Sequence, residues 1–289
     1  MTFAFKPAHG LVLTALMATP LAAETPEEFY TGKTVTLTVG ADAGGFADTV
    51  ARAFATELSK KFPGNPEMVV INKPGAGGLV AASQLAKTEA KDGTTLGFLL
   101  GNVLTTPLIT GKENQFDPHE VQWIGSLENG DYPYTLYAAP GAGIATPEDL
   151  QSKTLVQGST SYTNYNRVFP ALMNDMMGAK FDIVAGYKGS GEVYLALERG
   201  EVQGWMEGAH PMGGDTNKAS QMLKEGKIQP VMLMARKKSD DWPDLPVLGD
   251  YLSDDLQKQV AGFLIDSSAT GRPIAVPAEV PQDRVDAIR

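Results

Sequence analysis

Residues able to do chemistry are sparse and scattered in this chain. Its three histidines, His9, His119 and His210, lie far apart, and there is no cysteine. No grouping of His, Cys and carboxylates has the spacing of a metal site, and no serine sits in a G-x-S-x-G elbow. Gly32-Lys33-Thr34 resembles the end of a phosphate-binding P-loop, but Glu27 stands where that motif requires glycine. Gly75-Ala76-Gly77 opens like a dinucleotide fingerprint, with Val80 in place of its last glycine. Acid–base catalysis by paired carboxylates needs no sequence signature. Asp42, Asp48 and Glu207 would carry it, and nothing in their spacing points to a pair. The sequence therefore implies no cofactor, no metal and no enzyme.

What remains is a set of glycine-rich loops between strand ends and helix starts: Asp42–Ala47, Pro74–Gly78 and the stretch from Gly158. The first N–H groups of a helix lack internal partners, the macrodipole is positive there, and glycine lets a ligand approach the backbone. One such terminus contributes about 0.3–1 kcal/mol, whereas micromolar binding needs about 8 kcal/mol. Several must converge. In open α/β sheets they do, at the carboxyl ends of the strands. The plain alternative, glycines serving tight turns alone, suits any single loop better than it suits three.

The elements that must position these loops alternate. Val35–Val39 reads as a strand, and Asp48 can cap a helix whose Val50, Phe54, Leu58 and Phe62 form one stripe. Met68–Ile71 is a continuous apolar run, as expected of a strand covered on both faces. A helix Leu79–Thr88 and a strand Thr95–Leu100 follow. Near residue 138 the pattern restarts. It gives a short helix at Pro147–Leu150, strands at Thr154–Gln157 and Phe181–Val184, and a helix bearing Phe169, Leu172, Met173 and Met176 that ends at Gly178. Gly189-Ser190-Gly191 opens another helix closed by Gly200, and Val202–Met206 and Gln229–Ala235 are the last strands. Such repetition predicts an α/β fold of two lobes, each a mainly parallel sheet flanked by helices. The boundaries predicted are 24–137 with 236–289 for lobe one and 138–235 for lobe two. Crossings near Tyr137–Ala139 and Met234–Lys237 would form a hinge.

Lys6, the apolar stretch Leu11–Ala22 and the small residues Leu21-Ala22-Ala23 have the layout of a secretory signal peptide spanning residues 1–23. The apolar run is too short for a membrane anchor, which takes about 20 residues. Export without cysteine points to a bacterial periplasm and to a soluble, monomeric mature protein. Without Lys6 the chain holds 23 Lys+Arg against 34 Asp+Glu, a net charge of −11. Nucleic acid and anionic membrane surfaces are poor partners for it. A small anion is still admissible, because salt screens distant charge beyond about 8 Å.

Ala43-Gly44-Gly45-Phe46-Ala47-Asp48-Thr49-Val50-Ala51-Arg52, Ile71-Asn72-Lys73-Pro74-Gly75-Ala76-Gly77-Gly78 and Asp92-Gly93-Thr94-Thr95-Leu96 resemble, in order, three motifs of one family. Tyr187-Lys188-Gly189, Leu197–Val202 and Leu245-Pro246-Val247-Leu248 resemble three more. The family is the substrate-binding receptors of tripartite tricarboxylate transporters, often called Bug receptors. The resemblance implies a periplasmic binding protein of type II layout that closes on a small carboxylate and hands it to membrane transporter subunits. It implies ligand contacts from Ala43, Gly44, Gly45 and Phe46 in the first loop. In the second lobe it implies contacts from Gly158, Ser159, Thr160 and Ser161, with Tyr162 and Thr163 following and Tyr187 at the floor or rim. Gly77, Gly78 and Glu207 complete the candidate ligand-binding set. Asp48 fits a capping role, with Arg52 pairing an acid.

The lobe-two loop lacks glycines and carries extra tyrosines relative to the family, so the likeness transfers no particular substrate. Asp42 beside the first loop favours a monoacid, a zwitterion or one fixed ligand orientation. The helix start Pro281–Arg289 stops after about two turns, which predicts a truncated end and an uncovered apolar groove on lobe one. The alternative output is sensing, in which the same clamp feeds a membrane signalling receptor.

Overall fold

The computed structural model describes residues 24–111, 116–128, 133–207 and 218–289; the signal segment and His210 lie outside them. In chain order the elements are α1 (Pro26–Tyr30), β1 (Thr34–Val39), α2 (Phe46–Ser59), β2 (Glu67–Asn72), α3 (Leu79–Lys87), β3 (Thr95–Phe98), α4 (Thr106–Thr110) and β4 (Val121–Ser126). There follow β5 (Tyr134–Ala138), α5 (Asp149–Ser152), β6 (Leu155–Ser159), α6 (Tyr165–Met177), β7 (Phe181–Ala185), α7 (Ser190–Arg199) and β8 (Gly204–Glu207). Last come α8 (Lys218–Lys224), β9 (Gln229–Met234), α9 (Asp255–Ser268), β10 (Pro273–Pro277) and α10 (Gln282–Ile288). Among the described residues no helix is long and apolar enough to cross a membrane.

Two five-stranded sheets result, ordered β2-β1-β3-β10-β4 and β7-β6-β8-β5-β9. In the first, β1 runs parallel to β2 and β3, while β10 is antiparallel to both its neighbours. In the second, β6 runs parallel to β7 and β8, and β5 is antiparallel to β8 and β9. The sheets thus share one plan. Each has a parallel set with a single reversed strand one place in from an edge, and that strand is the first met after the chain changes sheets. Apolar clusters cover both faces of each sheet. Val35, Leu37, Val39, Leu96 and Phe98 face α2 on one side of the first sheet, and Leu79, Leu85, Leu99 and Ala275 fill the other. Leu136, Leu155, Phe169 and Met206 form one core of the second sheet; Tyr137, Val193 and Trp205 form the other.

Three sequence expectations are corrected here. Tyr134–Ala138 is an inner strand of the second sheet, so the first crossing lies between Ser126 and Tyr134 and not at Tyr137–Ala139. The second crossing is also displaced. Leu248 and Leu252, with Ala261, Leu264 and Ile265 of α9, pack into the second sheet's core, and the chain rejoins the first sheet only at β10. Residues after 235 lack strand periodicity, yet a 14-residue helix among them buries Ala261, Leu264 and Ile265 in the second sheet's core. Finally, Met68–Ile71 is not covered on both faces. It belongs to an edge strand, with Val69 37% and Ile71 42% exposed.

Candidate functional site

The carboxyl ends of β1, β2 and β3 in one sheet and of β6, β7 and β8 in the other open onto a shared cleft. Its cavity is about 340 Å³, within the range that encloses small ligands. A methyl group placed on Gly189, at the head of α7, would lie 3.8 Å from Gly45 Cα, at the head of α2. The two lobes' helix termini therefore face each other across the cavity.

Residues of two of the motifs named above explain how the α2 head is held open. Asp48, in the first turn, is buried, and its carboxylate turns back on the loop. Asp48 Oδ2 accepts from the Gly44 N–H at 2.8 Å and from Arg52 Nε at 3.1 Å, and Oδ1 accepts from Asn72 Nδ2 at 2.9 Å. Asn72 Nδ2 also donates to the Ala41 carbonyl, and Arg52 Nη2 donates to Asn72 Oδ1. Burial pushes the Asp48 carboxyl up, but the hydrogen bonds from Arg52, Gly44 and Asn72 outweigh it and hold the group below the usual range. The expected partner of Arg52 is thus Asp48 itself. The helix N-cap is Gly45, which makes no side-chain cap bond. Among the described residues the N–H groups of Gly45, Phe46 and Ala47 meet no acceptor, and all three residues line the cavity, as a helix head that receives an anion would.

The second glycine loop behaves differently. Gly78 N–H donates to Gly75 O, Leu79 N–H to Ala76 O and Val80 N–H to Gly75 O, so this helix head is closed on itself. Gly77 and Gly78 do line the cavity, but the Gly78 amide is already taken by the loop's own carbonyl. Gly77, at φ +65°, comes so close to lobe two that a methyl there would meet Thr163 Oγ1 at 2.8 Å and Ser161 Oγ at 2.9 Å. The loop is an inter-lobe contact. Tyr165 Oη adds to it, donating to Gly101 O at 3.4 Å.

In lobe two the head of α7 offers free amides. The Lys188 N–H is occupied by Glu192 Oε2 at 2.9 Å, whereas the N–H groups of Ser190 and Gly191 meet no acceptor among the described residues. The loop after β6 is organised by Asn166, whose Oδ1 accepts from Ser159 Oγ at 3.0 Å and the Thr160 N–H at 3.2 Å. Ser161 Oγ and Thr163 Oγ1 are buried with no hydrogen-bond partner.

Of the residues expected at the site, Gly45, Phe46, Gly77, Gly78, Thr160, Ser161, Tyr187 and Glu207 line the cavity. The others are kept from it by identifiable causes. Ala43 and Gly44 lie exposed on the outer turn, and the Gly44 amide is taken by Asp48. Gly158 is packed inside the sheet, where a methyl would meet Val193 Cγ1 at 2.6 Å, and Ser159 is bound to Asn166. Tyr162 is 62% exposed and stacks on the Arg167 guanidinium, while Thr163 is buried against Gly77.

Several lining residues fall outside the expected ligand-binding set. Tyr134, Asn164 and Asn166, Gly189 and Ser190, and Arg272 reach the cavity from four separate segments. Arg272 precedes β10. Its guanidinium lies 4.6 Å from the centre of the Phe46 ring, beside the α2 head, and its Nη1 pairs with Glu128. Burial pulls its pKa down to about 10, which leaves it charged at neutral pH. Glu207 is buried at the end of β8, accepting from Tyr194 Oη and, at 3.2 Å, from Trp205 Nε1. Burial raises its pKa against the effect of those two donors. Among the described residues no cluster of three or more His, Cys, Asp or Glu could hold a metal ion.

Comparison with known proteins agrees with this geometry. Residues 50–272 match the family model described as the tripartite tricarboxylate transporter family receptor. The chain is 26% identical over 240 residues to a Cupriavidus necator protein described as the UPF0065 protein in the gbd 5′ region, covering 81% of this chain and 69% of that one. Its fold is similar to that of the periplasmic binding protein BugD, with a TM-score of 0.67, 19% identity, and 90% and 81% of the two chains covered. It is likewise similar to MatC from Rhodopseudomonas palustris with bound malate, with a TM-score of 0.66, 22% identity, and 89% and 82% covered.

Proposed function

Because the chain belongs to the tripartite tricarboxylate transporter receptor family, we propose that it is a periplasmic receptor that captures a small carboxylate between its lobes and delivers it to the membrane subunits of such a transporter. One observation carries this reading. N–H groups with no acceptor among the described residues, at the head of α2 in one lobe and of α7 in the other, belong to residues around the same cavity, with Gly45 and Gly189 opposed across it. An anion held there receives donors from both lobes at once, so binding and closure of the cleft reinforce each other. The malate bound by the structurally similar MatC supports carboxylate as the ligand class. The chemistry needed is capture and release, which accords with a family of receptors and requires no catalytic group.

Calorimetric titration of the purified protein with mono-, di- and tricarboxylates, aromatic acids and amino acids tests the reading. Saturable binding of at least one acid at micromolar concentration is expected. Silence across the whole panel from a folded protein would overturn it.

A further inference from the structure

The cavity carries opposite charges on opposite lobes. On the first lobe's side stands Arg272, beside the α2 head. Its Nη1 pairs with Glu128, while its Nε is buried and has no hydrogen-bond partner. On the second lobe's side stands Glu207, opposite Thr135 in the β5–β8 pairing. Among the described residues both protein donors to Glu207, Tyr194 Oη and Trp205 Nε1, reach the same oxygen, Oε2. No described cation pairs with Glu207. The other charged side chains lining the cavity are Asp42 and Lys188, one of each sign.

A buried guanidinium with an unmet donor and a buried carboxylate with one oxygen unengaged by any described residue, on opposing walls of one cavity, form a receptor for a dipole. We propose that the ligand is an amino carboxylate, a molecule bearing both a carboxylate and a primary ammonium. Its carboxylate is received by Arg272 and the α2 amides, and its ammonium by Glu207. The proposal rests on the receptor reading and narrows it. A ligand with a second carboxylate in place of the ammonium would set like charges together in a site that water leaves as the lobes close, and would be selected against. Arg272 and Glu207 are then the residues that determine specificity.

The test compares L-glutamate with glutarate, L-alanine with propionate, and 4-aminobutyrate with butyrate by calorimetry. The wild-type protein should bind the amino member of at least one pair about tenfold or more tightly, the worth of one hydrogen bond to a charged group. Glu207→Gln retains acceptor oxygen for Tyr194 and Trp205 and should bring that ratio close to one, chiefly by weakening the amino acid. Arg272→Lys, which keeps a charge opposite Glu128, should weaken both members of the pair together. An Arg272→Gln/Glu128→Gln double variant should do the same without leaving a buried carboxylate unpaired, and its thermal unfolding reports whether it has folded.

Equal or tighter binding of the deaminated acids by the wild type would overturn the dipolar assignment and leave the receptor reading intact. So would a Glu207→Gln protein that keeps its amino preference. No binding of either class would overturn both.

Discussion

Gly77→Ala separates what the second glycine loop does for the fold from what it does for binding. Gly77 occupies the left-handed region at φ +65°. Placing an L-residue there costs about 1–2 kcal/mol in any state of the molecule. The new methyl also meets Thr163 Oγ1 at 2.8 Å, Ser161 Oγ at 2.9 Å and Asn102 Nδ2 at 3.0 Å. The first two belong to the opposite lobe, so this second cost exists only when the lobes are together. Overpacking of such tightness costs about 1–3 kcal/mol, which corresponds to affinity weakened roughly 5- to 150-fold at 1.4 kcal/mol per tenfold. Gly143→Ala is the control. It has the same backbone strain, at φ +67°, but the added methyl would find only the Lys153 side chain, 3.8 Å away. Both variants should unfold a few degrees lower in a thermal scan of the ligand-free protein, and only Gly77→Ala should lose affinity in calorimetry. Unchanged affinity in Gly77→Ala, with the expected drop in thermal stability, would refute the claim that the lobes must meet at this residue to hold a ligand.

Gly45→Val tests the α2 head directly. Gly45 is extended (φ −80°, ψ 174°) and an added methyl would meet only Asp42 O at 3.6 Å, so thermal stability should stay near wild type while the branched side chain blocks approach to the amides and calorimetric binding falls at least about tenfold. Asp48→Asn should destabilise the protein by about 1–3 kcal/mol at neutral pH, because Gly44 and Arg52 lose a charged acceptor. The folded-state pKa of Asp48 is depressed, so its contribution is present above the unfolded value near 3.9 and disappears as pH falls through the folded one; urea unfolding from pH 7 to pH 3 should show the gap between variant and wild type narrowing at the acid end. Glu207→Gln should have the opposite sign. Burial raises the pKa of Glu207, so ionising it opposes folding, and the ligand-free variant should gain on the wild type as pH rises past about 4.3, as read by thermal unfolding between pH 4 and pH 8.

Periodicity and punctuation made the alternating elements legible in the sequence. The Phe169–Met176 face and Gly178 mark α6, and Gly189 and Gly200 bracket α7, because helix faces and helix ends impose local rules on residue type. Strand β5 and helix α9 obey the same rules but were hidden. Tyr134–Ala138 has little polar alternation because it lies inside a sheet, and the apolar face of α9 is interrupted by outward-facing Leu256, Val260 and Phe263. The lobe boundaries moved accordingly, since they depend on which core receives a segment, a non-local fact. At the site, loops that precede helices were legible and the fate of their N–H groups was not. Whether an amide is free depends on a side chain such as Asp48 turning back on its own loop, and in the second glycine loop on carbonyls of the loop itself.

The residues that make the family recognisable are for the most part not those that would choose a ligand. Asp48, Arg52 and Asn72, drawn from two motifs, bind one another and Gly44, and in doing so fix the α2 head with its outer amides free. Tyr30 Oη donates to the carbonyl of Gly93 in a third motif, where no side chain would fit, since an added methyl would lie 2.3 Å from that oxygen. These contacts build a donor set made of backbone, which recognises a carboxylate as a class and discriminates little among carboxylates. Discrimination requires side chains that differ in charge and reach. The buried ones at this cleft, Arg272 just before β10 and Glu207 at the end of β8, stand outside the motifs. A scaffold so divided can keep its anion-binding floor while the walls vary. Residues at the positions of Arg272 and Glu207, more than the glycine loops, should therefore distinguish receptors of this family that take different acids.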